Sequence, residues 1–232
     1  MVTVTESVTP TPTAGVSRQG AIVDQRVATT NVGLVGLGTV GSWCAPLLMK
    51  LGVGRLSIWD FDHVEWPNVS CQIYGEGDVD QAKAIIIQNL VADLGYVGGS
   101  TQLEVFNEKF KGEGTPPEVL ISAVDNWAGR AAILDYAAKG SALYIEARMM
   151  ARWSVIHAID PRVAADVKWM HSTFGVDGKG PAVPCGNTGT AFLGAHVGAE
   201  IASMVCNYVN GEPIPRETPY DMGLHMVVGG EE

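Results

Sequence analysis

Residues 31–62 read NVGLVGLGTVGSWCAPLLMKLGVGRLSIWDFD. Val32 to Val35 form a short apolar run, the pattern of a strand covered on both faces. Gly36, Gly38 and Gly41 follow as G-x-G-x-x-G, at the point where that strand gives way to a helix. Such glycines serve a tight turn, close backbone approach to phosphate and close helix-to-strand packing. The helix that starts there turns its unpaired N–H groups and positive dipole end toward an anion. A second strand, Arg55 to Trp59, ends in Asp60, which lies about 20 residues beyond the glycines, the spacing of a carboxylate that accepts hydrogen bonds from ribose hydroxyls. Phosphate and ribose sites thus fall on one βαβ unit, which predicts nucleotide binding.

Outward from this unit, the chain reads as one α/β domain. Its 232 residues, 47% hydrophobic, suffice for a single substantial core. Residues 1–15, rich in Thr, Pro and Val without a strand or helix period, are expected to form a disordered leader, and residues 16–232 a single domain. A helix is predicted over 78–94, with Ile86, Ile87, Leu90 and Leu94 inward and Gly95 as its stop. Strands follow over 101–106 and 118–124, the latter ending in Asp125-Asn126. A helix over 127–139 and a strand over 142–147 complete the parallel part. The stretch 153–159 reads as an antiparallel return strand, 161–186 carries little pattern, and 188–209 reads as a helix rich in small residues. The predicted fold is therefore Rossmann-like: a mostly parallel sheet with helices on both faces and two antiparallel strands toward its C-terminal end.

Charge and cysteine usage narrow the function. A net charge of −10 without a run of Lys and Arg disfavours nucleic acid and anionic membrane as partners. Cys44, Cys71, Cys185 and Cys206 are widely spaced and include no C-x-x-C pair, so neither structural zinc nor a disulfide framework is expected. The longest apolar stretch, 192–209, is interrupted by His196, Glu200 and Asn207, and the N-terminus has no apolar signal core, which points to a soluble cytoplasmic protein. Cys185, in VPCGNTG, precedes a helix N-terminus, where the dipole favours thiolate. Cys44 and Cys206, on apolar helices, are expected in the core.

Taken together, Arg18-Gln19, the turn Gly36 to Gly41, Asp60-Phe61-Asp62, Asn68, Cys71-Gln72, Lys83, and Asp125-Asn126 with Arg130 resemble the adenylyltransferases typified by ThiF and MoeB, which share their fold with ubiquitin-activating enzymes. The resemblance spans roughly residues 18–210, and Ile145 to Arg148 with Pro184-Cys185 look most like small ThiF-like proteins of phage and prokaryotic gene clusters. It implies that ATP is attacked at its α-phosphate by the C-terminal carboxylate of a small ubiquitin-like or sulfur-carrier protein or peptide, giving an acyl-adenylate and pyrophosphate. Two anionic reactants meet, so cations and a metal are needed. By resemblance Asp60, with Asp62, would hold the ribose, Asn68, Gln72, Asn126 and Lys83 the nucleotide, and Asp125 Mg2+. Arg18 would reach the γ-phosphate from the other subunit of a homodimer, and Cys185 would take the acyl group as a thioester.

Each residue also has a plainer reading. Lys83 alone fits a solvated helix charge, Asp125 a helix cap, Asn68 a turn after Pro67, and Trp43, Trp59 and Trp66 packing. Cys71 stands where the family usually carries Arg, and losing one preorganised contact costs about 100- to 1000-fold in rate. Arg130, Arg148 and Arg152 are candidate replacements. A catalytically weak nucleotide-binding scaffold or sensor is therefore the alternative to an enzyme. An NAD-dependent oxidoreductase shares the glycine turn but leaves Asn68, Lys83 and Asp125-Asn126 without a task.

Overall fold

The computed structural model describes residues 19–94, 101–175 and 189–224 and the backbone of 226 and 227. In chain order it runs β1 (Asn31–Val35), α1 (Gly41–Leu51), β2 (Arg55–Trp59), α2 (Trp66–Val69), α3 (Lys83–Leu94), β3 (Gln102–Phe106), β4 (Val119–Ser122), α4 (Trp127–Ala137), β5 (Leu143–Met150), β6 (Trp153–Ile159), α5 (Ala164–Ser172), α6 (Ala191–Asn210), β7 (Glu217–Asp221) and β8 (Met226–Val227). Among the described residues one eight-stranded sheet forms, ordered β3-β2-β1-β4-β5-β6-β7-β8. The pairings from β3 to β5 are parallel and those from β5 to β8 antiparallel. The Rossmann-like reading therefore holds, with three antiparallel strands at the end instead of two. Glu217–Asp221 holds two Pro-flanking polar residues and little alternation, so it carries no strand signal of its own and gains its ladder from β6.

Two cores flank the sheet. Leu34, Leu56, Ile58, Val119, Ile121 and Ile145 face Cys44, Leu48, Ile87, Val197 and Ile201, so that α1, α3 and α6 cover one side. Val35, Leu120, Tyr144 and Ile159 face Ile133, Leu134 and Met170, so that α4 and α5 cover the other. Helix α5 lies in the stretch that lacked pattern; it buries Met170 and half-buries Val167 and Trp169, too sparse an apolar stripe to show as a period.

Several boundaries move for local reasons. The helix expected from residue 78 begins at Lys83, because Asp78 accepts a hydrogen bond from the Gly75 amide at 2.8 Å and closes a separate 3-10 turn over 76–78. Asp80 then takes φ +67, and Ala82 forms an antiparallel bridge to His63, which keeps the chain extended until Lys83. The buried face of α3 is Lys83, Ala84, Ile87 and Val91, with Ile86, Leu90 and Leu94 only half-buried. Cys44 is in the core as expected, whereas Cys206 is half-buried. The segment 1–15, Gly95, Arg18 and Cys185 lie outside the described residues. Among the described residues no helix is long and apolar enough to cross a membrane.

Candidate functional site

At the C-terminal edge of the parallel strands the chain passes from β1 into α1 through the glycine turn. Gly36 sits at φ +95, and a Cβ there would press on the Ala123 backbone at 2.8 Å. A Cβ on Gly41 would lie 1.8 Å from the Gly36 carbonyl oxygen, so the turn closes only without a side chain at that position. A Cβ on Gly38 would meet nothing within 4 Å, which leaves open space above the turn for a ligand.

Asp60 locks this turn to the end of β2. Its Oδ2 accepts from the Leu37 amide at 2.6 Å and its Oδ1 from the Asp62 amide at 2.8 Å, with 7% of the residue exposed. Burial pushes the Asp60 carboxyl above the usual carboxylate range, against the two backbone donors and Lys83, which hold it down. Tyr74 donates to the Leu37 carbonyl oxygen at 2.8 Å, and burial also raises its phenol.

Lys83 is the first residue of α3 and only 6% exposed. A buried ammonium at the positive end of a helix is locally unfavourable. Asp62 compensates, with Nζ to Oδ2 at 3.7 Å, and Asp60 adds attraction. The reading of Lys83 as a solvated helix charge is therefore wrong: the chain curls it inward at the site. Asn68 accepts from the Glu65 amide at 2.9 Å in a capping box on α2, so it shapes the turn as well as standing near the site. Cys71 Sγ lies 3.8 Å from Thr39 Oγ1 of the glycine turn and donates to the Pro67 carbonyl oxygen at 3.6 Å, while Trp43 donates to the Cys71 carbonyl oxygen at 3.4 Å. Gln72 is buried, and its Oε1 has no hydrogen-bond partner among the described residues.

On the other flank, Asp125 and Asn126 follow β4, both exposed. Asn126, not Asp125, caps α4, accepting from the Gly129 amide at 2.7 Å. This leaves Asp125 without the capping task, and its Oδ1 accepts from Asn126 Nδ2 at 3.3 Å. Arg130 and Arg148 converge on Glu146, which is fully buried. Trp66 is 64% exposed, whereas Trp59 stacks on Phe106 with centroids 4.8 Å apart. Arg152 sits on the β5–β6 turn, where its carbonyl oxygen accepts from the Met222 amide.

Strand register explains how these groups assemble. Phe106, Trp59, Val35, Ser122, Glu146, His157 and Glu217 form one row across seven strands, at the level just below the glycine turn and facing α4 and α5. The row changes from apolar to polar at Ser122. Sequence reading did not assign Thr39, Tyr74 or Glu146 a role; a carboxylate inside the apolar run Leu143 to Ala147 was the available signal for Glu146.

A glycine turn, a D-x-D strand end, a buried lysine opening the next helix and an Asp-Asn pair after β4 thus share one sheet edge, and the ThiF family model matches residues 13–223. The chain belongs to the ThiF family. Ubiquitin-like modifier-activating enzyme 5 of Gallus gallus is 30% identical over 134 residues, which cover 50% of this chain and 33% of that enzyme. The Drosophila ananassae enzyme of the same name is 29% identical over 126 residues, 47% of this chain and 31% of the enzyme. The chain thus matches about a third of the length of these relatives. Among solved structures, E. coli MccB with ATP superposes with a TM-score of 0.66 at 15% identity, covering 90% of this chain and 64% of MccB. PaaA superposes with a TM-score of 0.67 at 17% identity, covering 88% of this chain and 64% of PaaA. At these identities the superpositions speak for the fold.

Proposed function

We propose that this chain activates a C-terminal carboxylate by adenylylation with ATP, the carboxylate belonging to a small ubiquitin-like or sulfur-carrier protein or to a peptide. The observation that carries this reading is Lys83: an ammonium buried at a helix start, held by Asp62 and beside Asp60, the carboxylate that locks the glycine turn, is a cost that an anionic ligand would repay. The relatives are named for activating ubiquitin-like modifiers, and one MccB structure holds AMPCPP with MccA, which supports a nucleotide and a peptide or small-protein acceptor.

In this reading the acceptor carboxylate oxygen bonds to the α-phosphorus as the bond from that phosphorus to the bridging oxygen breaks, and pyrophosphate leaves with the electron pair. Asp60 receives the ribose, the glycine turn and the α1 N-terminus receive phosphate, and Lys83, with Asn68, Gln72 and Asn126 nearby, offsets charge. Asp125 supplies one carboxylate for Mg2+, the remaining ligands coming from phosphate and water, as suits an ion that keeps much of its hydration. Among the described residues no group of three or more His, Cys, Asp or Glu forms a protein-only metal cage. We extend the proposal to a homodimer in which Arg18 serves the neighbouring subunit's nucleotide, and to acyl transfer onto Cys185.

ATP–pyrophosphate exchange with small β-grasp proteins and glycine-terminated peptides tests the reading. Exchange with at least one carboxylate is expected, together with a rise in melting temperature in Mg-ATP that NAD does not reproduce. Cys71, a thiol against Thr39 where the family usually has a cation, favours the second reading, a nucleotide-binding scaffold or sensor. Mg-ATP binding without exchange for any carboxylate would select it, and stronger stabilisation by NAD would sink both. Mixing Arg18→Ala and Lys83→Ala dimers should restore about a quarter of full activity if subunits exchange at random and sites are shared. Rapid alkylation of Cys185 at neutral pH is expected of a thioester former; slow alkylation marks a structural thiol.

A further inference from the structure

Lys83 and the Arg130–Glu146–Arg148 cluster stand on opposite flanks of the glycine turn. Lys83 lies with Asp60 and Asp62 beside the end of β2, the ribose side in the reading above. Glu146 lies two strand spacings from Val35 in the opposite direction, through Ser122, so the cluster sits about 10 Å from the turn. Each flank thus has one cationic centre, and the reaction class brings two anionic reactants.

The two arginines of the cluster differ in what they have left to give. Arg148 uses four of its five N–H donors, with every nitrogen donating: Nε and Nη2 donate to Glu146 at 2.6 and 3.0 Å, and Nη1 and Nη2 donate to the carbonyl oxygen and hydroxyl of Thr173 at 3.1 and 2.7 Å. Its guanidinium also lies over Trp127 and Phe174. Among the described residues Arg130 donates from Nη1 alone, to Glu146 Oε1 and to the Ala147 carbonyl oxygen at 2.9 Å. Its Nε and Nη2 bond to no described residue, and they are the pair of nitrogens on the side of the guanidinium turned away from that Nη1 contact; 9% of the side chain is exposed. Two guanidiniums against one carboxylate leave the cluster one positive charge in excess, and among the described residues the uncommitted nitrogens are Nε and Nη2 of Arg130.

Resting on the adenylylation reading, we infer that Arg130 is the docking cation for the incoming carboxylate and that Glu146 is a positioning residue. Glu146 binds Arg148 as its permanent counter-charge and fixes Arg130 by one nitrogen, so that the other face of that guanidinium is presented in a set orientation to an oxyanion. A guanidinium so held can meet a carboxylate through two parallel N–H donors, geometry that a lysine ammonium does not reproduce. Arg148 is on this account no replacement for a phosphate-binding arginine, since each of its nitrogens already donates and no pair of them is left for a bidentate contact.

The test is steady-state pyrophosphate exchange with Mg-ATP and a glycine-terminated peptide that the wild-type protein accepts, with Mg-ATP affinity measured separately by calorimetry. Arg130→Lys and Glu146→Gln should each raise the KM for the peptide, or lower kcat, by at least about tenfold, with the Mg-ATP Kd within about threefold of wild type. Glu146→Gln leaves two guanidiniums facing each other and will lower the melting temperature, so the double variant Glu146→Gln/Arg148→Met is the control. It removes one charge of each sign, and its melting temperature should recover toward wild type while the peptide KM stays high. Recovery of exchange in step with melting temperature would reduce Glu146 to a fold-stabilising residue and overturn the inference. Weakened Mg-ATP binding with an unchanged peptide KM would assign Arg130 to the phosphates and overturn it equally. No exchange in the wild-type protein, with Mg-ATP still bound, would remove the adenylylation reading itself and this inference with it.

Discussion

The two flanks of the glycine turn are built by different means. On the β2 flank, Asp60, Asp62, Asn68, Cys71 and Lys83 come from one short stretch of chain, and backbone amides do most of the holding: Leu37 and Asp62 donate to Asp60, and Glu65 donates to Asn68. On the β5 flank, Trp127, Arg130, Glu146, Arg148 and Thr173 come from three separate elements and are joined by side-chain pairs. Backbone donors are fixed by the fold, so the first flank tolerates changes in side-chain length poorly but changes in charge locally. The second depends on charge balance, because a buried carboxylate between two guanidiniums stands only while all three are present.

Breaking the β2 flank should have the largest effect. Lys83→Met is expected to cut pyrophosphate exchange about 100- to 1000-fold, the size of one lost preorganised electrostatic contact, while the melting temperature stays level or rises because a buried ammonium is removed from a helix start. An exchange rate within a fewfold of wild type would show that this flank does not set the chemistry.

Cys71→Arg sharpens the same flank. Cys71 is half-exposed and its thiol contacts are long, at 3.6 to 3.8 Å, so an arginine can extend over the turn instead of displacing packed atoms. Exchange should rise about tenfold. A fall would mean that the contact with Thr39 shapes the turn and that the small side chain is required.

Trp127→Leu probes the β5 flank more gently. The ring lies 4.9 Å from the Arg148 guanidinium and 5.6 Å from that of Arg130, and each such contact is worth about 0.5 to 1 kcal/mol. The expected result is a peptide KM raised about threefold to tenfold with the Mg-ATP affinity unchanged. Equal weakening of both ligands would show that the two flanks are not independent.

The smallest effect concerns pH. His157 follows Glu146 in the cross-sheet row; its Nε2 is 3.1 Å from Glu217 and its buried Nδ1 has no partner among the described residues. Burial, then Arg148, hold its pKa below the usual histidine value, against Glu146 and Glu217, which raise it. The unfolded chain therefore binds the proton more readily. Stability is full above the unfolded pKa, about 6.5, and is lost as pH falls toward the folded pKa, by at most about 1.4 kcal/mol per pH unit. Denaturant unfolding between pH 7.5 and 5 should show this slope reduced in His157→Gln. An unchanged slope would place the proton uptake on another group.

How much of this was legible in the sequence follows the same division. Strands β1, β2 and β6 and the D-x-D end were readable because each is local: an apolar run, a turn and an acid at fixed spacing. The antiparallel turn of the sheet after β5 followed from the change of period at Trp153, whereas the strand order came only with the structure. The start of α3 was misplaced because Asp78 satisfies a backbone amide instead of beginning the helix, a competition that composition does not reveal. Helix α5 and strand β7 escaped because their burial is borrowed from neighbours. The pairing of Arg130 with Arg148 through Glu146 was out of reach because it depends on register: only when Glu146 is placed opposite Ser122 and His157 does its neighbourhood exist.

Helix α6 extends this lesson to a position far along the chain. A Cβ on Gly194 would lie 2.3 Å from the Thr39 carbonyl oxygen, and one on Gly198 would lie 3.0 Å from the Cys44 amide nitrogen. The fingerprint that opens the sequence therefore has a distant second half, a pair of glycines a helical turn apart on which the turn and α1 rest. A mutational scan scored by nucleotide affinity would find sensitive positions there with no ligand near them, and a protein engineer grafting the turn onto another scaffold would have to carry that helix as well.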